Sequence, residues 1–495
     1  MSRDKGLAPI RSTHRTSVGV ARLISILGYG LIALISLTAS HVLVTRFGFT
    51  FFAIALVGLF FGSMYALVSF RALYVPLIAW ILSVGGLRYL WYIETPLLPD
   101  LYLDRMMLIW LTVVFMIRMV VDGKSPRRPW KLDIMLILHA GYLMSSIYSN
   151  NMHGFHVWTM STVIPYAAYF FAKNILVTKA YIRKFMWAML ALTAYYNVTA
   201  VAEKLNLDWL IWPKVILAAE NEFVGRSLGP FLHAPVFGTV IGIMLPIHLY
   251  FIVTNRNLVV RVLLGISLAI GFAGLYFTYT RGSWLAGIAA LGTVAYLNRR
   301  HYLRILAPAA IVAAFVAVVF LGLAQDEFMK ERLENENTIG SRVGTAVTVV
   351  RIWKDYPLLG AGYFQYGNMK MNYMQPIEVP GLGTIRFNQI RHNVIHDIYL
   401  GPMAEGGILG TVLQIGIYFL VLRAYFTRFV RGRRDDPFVV FVLPVLGAIT
   451  IGYLVGGMVI DYRYFAFLGT LFFVCAGIVD GYQDDEGDTL EEANH

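Results

Sequence analysis

The chain has 495 residues, of which 58% are hydrophobic and only 14% are charged, and its mean hydropathy is +0.63. Soluble domains carry about 25% charged residues, so this composition excludes a soluble globular protein of this length. The single cysteine, Cys475, excludes a disulfide scaffold and a zinc site built from cysteines.

Apolar stretches of about 18 residues or more recur along the chain, and they predict an all-α polytopic membrane protein. About 14 transmembrane helices are predicted; 12 or 13 is the alternative, because the stretches near 103–121 and 282–298 are short or flanked by charge. The predicted spans are 17–39, 49–70, 73–93, 103–121, 132–149, 155–173, 183–203, 233–253, 258–278, 282–298, 304–324, 398–422, 437–460 and 463–482.

The distribution of the charges behind the net charge of +12 indicates a membrane topology rather than nucleic-acid binding. With the N-terminus inside, more than half of the 41 Lys and Arg fall in short inner segments, as the positive-inside rule requires. Both termini are therefore predicted to be cytoplasmic. The predicted organisation is a cytoplasmic segment at 1–17, helices 1–11 at 18–324 with an outer loop near 204–232, a large extracytoplasmic loop at 325–397, helices 12–14 at 398–482, and an acidic cytoplasmic tail at 483–495.

The large loop at 325–397 is too long to be a simple turn. Part of it has apolar residues at the three- and four-residue spacing of a helix, and Pro357 interrupts that pattern. The loop is therefore predicted to contain an amphipathic helix, followed by a glycine-rich turn at 358–362. The apolar positions are Val343, Ala346, Val347, Val350 and Trp353.

With this topology, a group of cations lies on the outer side. Arginine binds phosphate through two hydrogen bonds and stays charged at physiological pH, so several arginines on one face suggest an anionic ligand, most simply a diphosphate. The alternative is that they are interfacial arginines paired with outer acids such as Glu220 and Glu334. The candidates for diphosphate binding are Arg226, Arg281, Arg342 and Arg351, with Arg391 and His392 as supporting residues.

Arg281 is the foremost of these arginines, because it lies in a tight turn between two spans and is followed by a glycine. Arg342 and Arg351 are separated by nine residues, which is about 900° of rotation on an ideal helix. They therefore face opposite sides of a continuous helix, and only one of them can reach a given site. Arg342 is the preferred ligand contact.

His396, at the mouth of a predicted span, is the candidate general base, because its unperturbed pKa suits proton transfer near neutral pH. His392 lies one helical turn earlier, and Asp397 is adjacent. Glu405 lies nine residues further on, within an apolar run, where an ionisable side chain is expected to face protein or water. It is a candidate catalytic residue that could orient a base or a cation such as Arg281; the alternative is a structural pair within the bundle.

Four pieces of sequence together resemble the O-antigen ligase and polymerase superfamily of bacterial membrane glycosyltransferases. They occur in family order across about 226–410, although the family usually has asparagine where this chain has Asp397. The pieces are Arg226 with GPF at 229–231 and HAPVFG at 233–238, TRGSWL at 280–285, Ser341-Arg342 with DYPLLGAG at 355–362, and HDIYL at 396–400 with EGGILG at 405–410.

The resemblance implies an inverting glycosyltransferase of the bacterial inner membrane, which moves a polyprenyl-diphosphate-linked glycan onto an acceptor hydroxyl at the outer face. Arg226, Arg281 and Arg342 would stabilise the diphosphate, and His396 would act on the acceptor hydroxyl. No cofactor is expected, and no metal, because no Asp-x-Asp motif stands in an outer loop. The expected partners are the lipid-linked donor, a glycan, lipid A-core or protein acceptor, and membrane lipid, but not nucleic acid.

Other interpretations remain open. A transporter or flippase of lipid-linked sugars would concentrate ionisable residues near the bilayer midplane and often show repeats, whereas here the informative residues cluster at the outer face. A non-catalytic scaffold would make His396 dispensable. Among glycosyltransferases, a polymerase is slightly favoured over an O-antigen ligase or a protein O-oligosaccharyltransferase, because of the additional spans and the departures from the ligase pattern.

Overall fold

The computed structural model describes residues 49–90, 92–93, 101–147, 152–218, 225–299, 301–302, 337–379, 383–385, 395–433 and 435–483. Several predicted features lie outside these residues. They are the N-terminal segment, the spans at 17–39 and 304–324, Arg391, His392 and the acidic residues of the tail.

Helices dominate the described chain and follow its apolar stretches. Short π-helical turns at Ser83–Leu87, Thr159–Val163 and Phe438–Val442 continue or join neighbouring helices. The helices are α1 (Phe49–Arg71), α2 (Tyr74–Leu82), α3 (Leu103–Val121), α4 (Lys131–Ser145), α5 (Met152–Trp158), α6 (Ile164–Ile175), α7 (Lys179–Lys204), α8 (Ala234–Thr254), α9 (Leu258–Phe277), α10 (Arg281–Leu297), α11 (Asn337–Asp355), α12 (Tyr366–Tyr373), α13 (Leu400–Arg431), α14 (Leu443–Gly456) and α15 (Ala466–Gly481).

Five helical stretches of the described chain are long and apolar enough to cross a membrane: Lys179–Lys204, Ala234–Thr254, Leu258–Phe277, Leu400–Arg431 and Phe438–Gly456. Tyr74–Leu87 and Ala466–Gly481 are shorter apolar helices. The protein is therefore a helical membrane protein, as its composition predicts, and the number of 14 spans stays a prediction.

The chain divides into two compact units at Ala72, and α1 belongs to the first. Within the second unit, α8 is apolar on all sides, and nearly every residue from Ala234 to Ile252 is buried, as expected for a central helix. It packs against α7, α9, α10 and α14, while α15 packs along α6 and α13 contacts α4 and α11.

The predicted amphipathic helix of the large loop is confirmed as α11, which ends two residues before Pro357. Its buried Val349 and Ile352 pack with Tyr366, Ile395 and Ala404 in a small apolar cluster. Two short pairs of antiparallel strands, of two and three residues, accompany the helices, and the chain is mostly helical as the all-α prediction requires. The strand pairs join Tyr92–Ile93 with Leu101–Tyr102, and Ile377–Val379 with Gly383–Ile385, in loops whose β-branched residues favour extended backbone.

Candidate active site

Arg226 is buried in the turn between α7 and α8. Its Nε donates to the carbonyl oxygen of Thr278 at 2.8 Å, and its Nη2 donates to the Thr280 hydroxyl. The Glu203 carboxylate accepts the backbone N–H groups of Leu228 at 2.7 Å and Gly229 at 2.9 Å. Arg226 therefore holds the backbone that leads into α10, where Arg281 is the first residue.

Arg281 projects from the N-terminus of α10 and is exposed. The turn before it contains Tyr279 at a φ of +45°, a conformation that is uncommon for a non-glycine residue. Ser283 fixes the first turn of the helix by donating to the carbonyl oxygen of Pro235 at 2.7 Å. Within the described part of the chain, no hydrogen bond or ion pair engages the Arg281 guanidinium, and the side chain is exposed.

Arg342 approaches Arg281 from α11. Desolvation lowers the pKa of the Arg342 guanidinium, the nearby charge of Arg281 lowers it further, and the carboxylate of Asp397 opposes both effects. Two neighbouring guanidiniums repel each other, and an anion between them would relieve that repulsion.

Arg351 lies elsewhere, as the nine-residue separation predicts. Its Nη1 donates to the carbonyl oxygens of Tyr373 and Gln375, at 3.0 Å each. These bonds tie the end of α12 to α11. The structure therefore brings Arg342, but not Arg351, to the side of Arg281.

His396 and Asp397 form the bend that precedes α13. The Asp397 Oδ1 accepts the backbone N–H groups of Tyr399 at 2.6 Å and Leu400 at 2.9 Å, so this carboxylate caps the helix. Burial raises the pKa of Asp397 and nearby Asp461 raises it further, while the two N–H groups and Arg342 lower it. His396 is half-buried beside this cap, so the capped bend sets its position.

Glu405 is buried, and the cation that pairs with it is Arg463 rather than Arg281. The Arg463 Nη1 lies 2.5 Å from the Glu405 Oε2, and its Nη2 lies 2.7 Å from the Asp461 Oδ2. Glu405 also accepts the backbone N–H groups of Phe364 at 3.0 Å and Tyr366 at 3.2 Å. These contacts join α13, the large loop and the turn before α15.

Arg463 and Asp461 were missed by the sequence reasoning. The available signal was an Asp-Tyr-Arg triplet between two long apolar runs, in a turn that the predicted topology places on the outer side. Charges so close to the membrane are expected to pair, and Glu405 was an ionisable residue in need of a partner.

The glycine-rich turn docks into a break in α13. Gly407 interrupts the helix at a φ of +58°, and Gly360 in the turn has a φ of +74°. The N–H groups of Ala361 and Gly362 donate to the carbonyl oxygens of Ala404 and Glu405, at 2.9 and 3.0 Å. A Cβ on Gly360 would collide with the backbone of Glu405. The glycine-rich turn and the break in α13 are therefore in direct backbone contact.

A cavity lies where these segments meet. Asp397, Glu405, Asp461 and Arg463 all line it. The capped bend that carries His396 and the charge group around Arg463 therefore border one cavity. Among the residues that the structure describes, no three His, Cys, Asp or Glu side chains form a group that could hold a metal ion, and independence from metal stays a prediction.

Comparison with known protein families finds a similarity over part of this region. The family model described as O-antigen ligase matches residues 266–415, from α9 to α13. No curated protein matches the chain in sequence. The matched segment contains Arg281, Arg342, His396 and Glu405, and it leaves out Arg226 and Arg463. The match confirms the resemblance found in the sequence, since residues 266–415 of this membrane protein are similar to the O-antigen ligase family.

Proposed function

We propose that the protein is an inverting, metal-independent glycosyltransferase of the bacterial inner membrane. It transfers a glycan from polyprenyl diphosphate to an acceptor hydroxyl at the outer face. The observation that supports the proposal is that the charges of Arg281 and Asp397 both act on Arg342, and Asp397 is the residue next to His396. All four residues lie in the segment that matches the O-antigen ligase family.

The two arginines would bind the donor's diphosphate. Arg281 is exposed at a helix N-terminus, where the helix dipole also favours an anion. As the bond from the anomeric carbon to the phosphate oxygen breaks, its electron pair moves onto that oxygen and the negative charge grows. Fixed guanidiniums stabilise this charge more in the transition state than in the bound donor.

His396 would act on the acceptor. Its imidazole takes the proton of the acceptor hydroxyl as that oxygen attacks the anomeric carbon from the face opposite the diphosphate, which inverts the configuration. A general base of this kind contributes a factor of about 10² to 10⁴ to the rate. The capping of α13 by Asp397 holds the histidine at the mouth of the helix.

Glu405 and Arg226 would support the site through other residues. Glu405 fixes the backbone of the large loop and pairs with Arg463, and Arg226 holds the turn before Arg281. Both are positioning residues in this proposal. Arg351 is not included among the ligands, because its guanidinium is bonded to two carbonyl oxygens of the loop.

The acceptor distinguishes three versions of this activity. We favour a polymerase that extends a lipid-linked chain; an O-antigen ligase and a protein O-oligosaccharyltransferase are the other two. A flippase of lipid-linked sugars is the alternative from another class of protein. A flippase transfers no glycan to an acceptor, so it would not need His396 as a base.

The test is a transfer assay with the purified full-length protein in detergent, a polyprenyl-diphosphate-linked oligosaccharide, EDTA and no nucleotide sugar. We expect release of polyprenyl diphosphate together with a longer lipid-linked glycan. Release only after addition of a lipid A-core acceptor would identify a ligase. Movement of the lipid-linked sugar across proteoliposomes without release would instead identify a flippase.

Variants at the site make the assay specific. His396→Ala and Arg281→Ala should abolish transfer while the protein remains folded in the membrane. Arg431→Ala, which removes an exposed arginine at the far end of α13, is the matched control and should transfer normally. Near-normal transfer by either site variant would remove that residue from the mechanism.

A further inference from the structure

Three aromatic side chains gather beside Arg463, and we call them the ring platform: His153, Phe364 and Tyr464. The His153 ring centre lies 5.0 Å from that of Phe364 and 6.1 Å from that of Tyr464, and the latter two are 5.7 Å apart. The Arg463 guanidinium lies 5.6 Å from the centre of the Phe364 ring. The ring platform is therefore joined to the charge group that borders the proposed site.

The ring platform is held in place yet partly open. Phe364 has a φ of +62°, a left-handed conformation that is unfavourable for a residue with a side chain. Its backbone N–H donates to Glu405, which keeps this conformation. His153 is exposed, and Phe364 and Tyr464 are half-buried. Strained backbone that persists in a folded protein often serves a site, and here it presents a ring to the surface.

Polar side chains adjoin the ring platform, and we call them the polar group: Arg88, Asp104, Arg105 and His156. His156 is stacked parallel to His153, with ring centres 6.5 Å apart. Its Nδ1 lies 3.2 Å from the Arg105 Nη2. Since arginine can only donate, the Nδ1 of His156 is the acceptor in this contact. Asp104 is fully buried beside the charges of Arg88 and Arg105.

A small second cavity lies between one member of each group. Its lining includes Arg88 of the polar group, Tyr464 of the ring platform, and Pro230 and Phe231. The last two belong to the motif that follows Arg226.

We propose that the ring platform and the polar group form a subsite that binds a sugar ring of the glycan handled at the active site. Aromatic rings offer apolar surface for the C–H face of a sugar, while the guanidinium of Arg88 and the imidazole groups offer hydrogen-bond partners for its hydroxyls. Pockets of this mixed character orient small polar ligands. The inference rests on the proposed function, because it assigns a part of the same substrate.

The subsite draws mainly on residues outside the family-matched segment. Phe364 lies inside 266–415, whereas His153, Tyr464 and all of the polar group lie outside it. The chemistry and the recognition of the sugar would thus be carried by different parts of the chain. A change of preferred sugar could arise in the subsite without altering Arg281, Arg342 or His396.

The experiment measures the transfer kinetics of Tyr464→Ala and His153→Ala in the full-length protein, with Tyr464→Phe as the variant that keeps the ring. Trp209→Ala, which removes another exposed aromatic of an outer segment, is the matched control. Both alanine variants should raise the KM for the glycan about tenfold, or about 1.4 kcal/mol, with kcat within about twofold of wild type. Tyr464→Phe and Trp209→Ala should leave KM unchanged.

The donor and the acceptor are varied separately. A rise in KM for the lipid-linked donor alone places the donor glycan in the subsite, and a rise for the acceptor alone places the acceptor glycan there. Unchanged KM for both, in variants that transfer, would overturn the inference while leaving the proposed function standing.

A binding measurement keeps the two proposals separate if wild-type protein shows no transfer. Saturation-transfer NMR with the wild-type protein in detergent would use glucose, galactose, N-acetylglucosamine, rhamnose and glucuronic acid as probes. Signal for at least one sugar, lost in His153→Ala and Tyr464→Ala but kept in Trp209→Ala, supports the subsite even then. No signal for any of the five sugars, or equal signal in all variants, refutes it.

Discussion

Arg463 forms a buried pair with both Glu405 and Asp461. We therefore expect removal of the Arg463 charge to lower the free energy of unfolding more than removal of the Glu405 charge. The side chains of the three residues are 16%, 4% and 3% exposed. Arg463→Met leaves two carboxylates buried without their cation, which should lower the free energy of unfolding by about 3–5 kcal/mol. Glu405→Gln leaves the guanidinium on Asp461 and keeps an oxygen for one of the two loop N–H groups, so the loss should be about 1–3 kcal/mol.

The assay is SDS-induced unfolding of the protein in detergent, followed by tryptophan fluorescence. The double variant should lose less than the sum of the single losses, because removing Glu405 relieves part of the uncompensated charge left by Arg463→Met. Arg433→Met, which breaks an exposed pair with Asp435, is the control and should match wild type. The reasoning is refuted if the two single losses add within about 0.5 kcal/mol or if Glu405→Gln costs more than Arg463→Met.

Three further predictions concern the site and its supports. Arg342→Ala should raise the KM for the lipid-linked donor and lower kcat, whereas Arg351→Ala should leave both close to wild type once the folded fraction is matched; equal defects in steady-state transfer would contradict the assignment. Asp397→Asn should keep the cap of α13, while Asp397→Ala should lower the free energy of unfolding by about 0.5–2 kcal/mol, and thermal unfolding of the two variants compares them. Gly360→Ala should destabilise the protein by more than the roughly 1–2 kcal/mol that a left-handed backbone costs alanine, because the new Cβ would also collide with the backbone of Glu405. The control is Gly340→Ala on α11, where a Cβ would meet no neighbouring atom. Equal stability of the two variants would argue against the docked turn.

The departure at Asp397 illustrates how structure interprets a sequence difference. The family that the sequence resembles usually has asparagine at this position. The Oδ1 of either side chain can accept hydrogen bonds from the N–H groups of Tyr399 and Leu400. The cap is therefore indifferent to the exchange. The added negative charge near Arg342 is the part that distinguishes this chain.

The local pattern of apolar residues was enough to predict where the described helices lie. Apolar runs predict spans because backbone groups within a membrane must satisfy their hydrogen bonds internally, and the described helices follow those runs. Three- and four-residue spacing predicted α11, and the break at Pro357 predicted its end. The angle between Arg342 and Arg351 was also accessible, since rotation along a helix depends only on separation in sequence.

Only the tertiary structure decided which distant residues meet. The triplet at 461–463 indicates charges near the membrane, but the sequence does not determine that Glu405 pairs with Arg463, 58 residues away, or that Gly360 lies against Gly407. Such contacts depend on how helices pack, and packing leaves no periodic trace along the chain. The sequence by itself thus determined the membrane class, the helices and the motif residues, whereas packing decided that Arg342 rather than Arg351 faces Arg281.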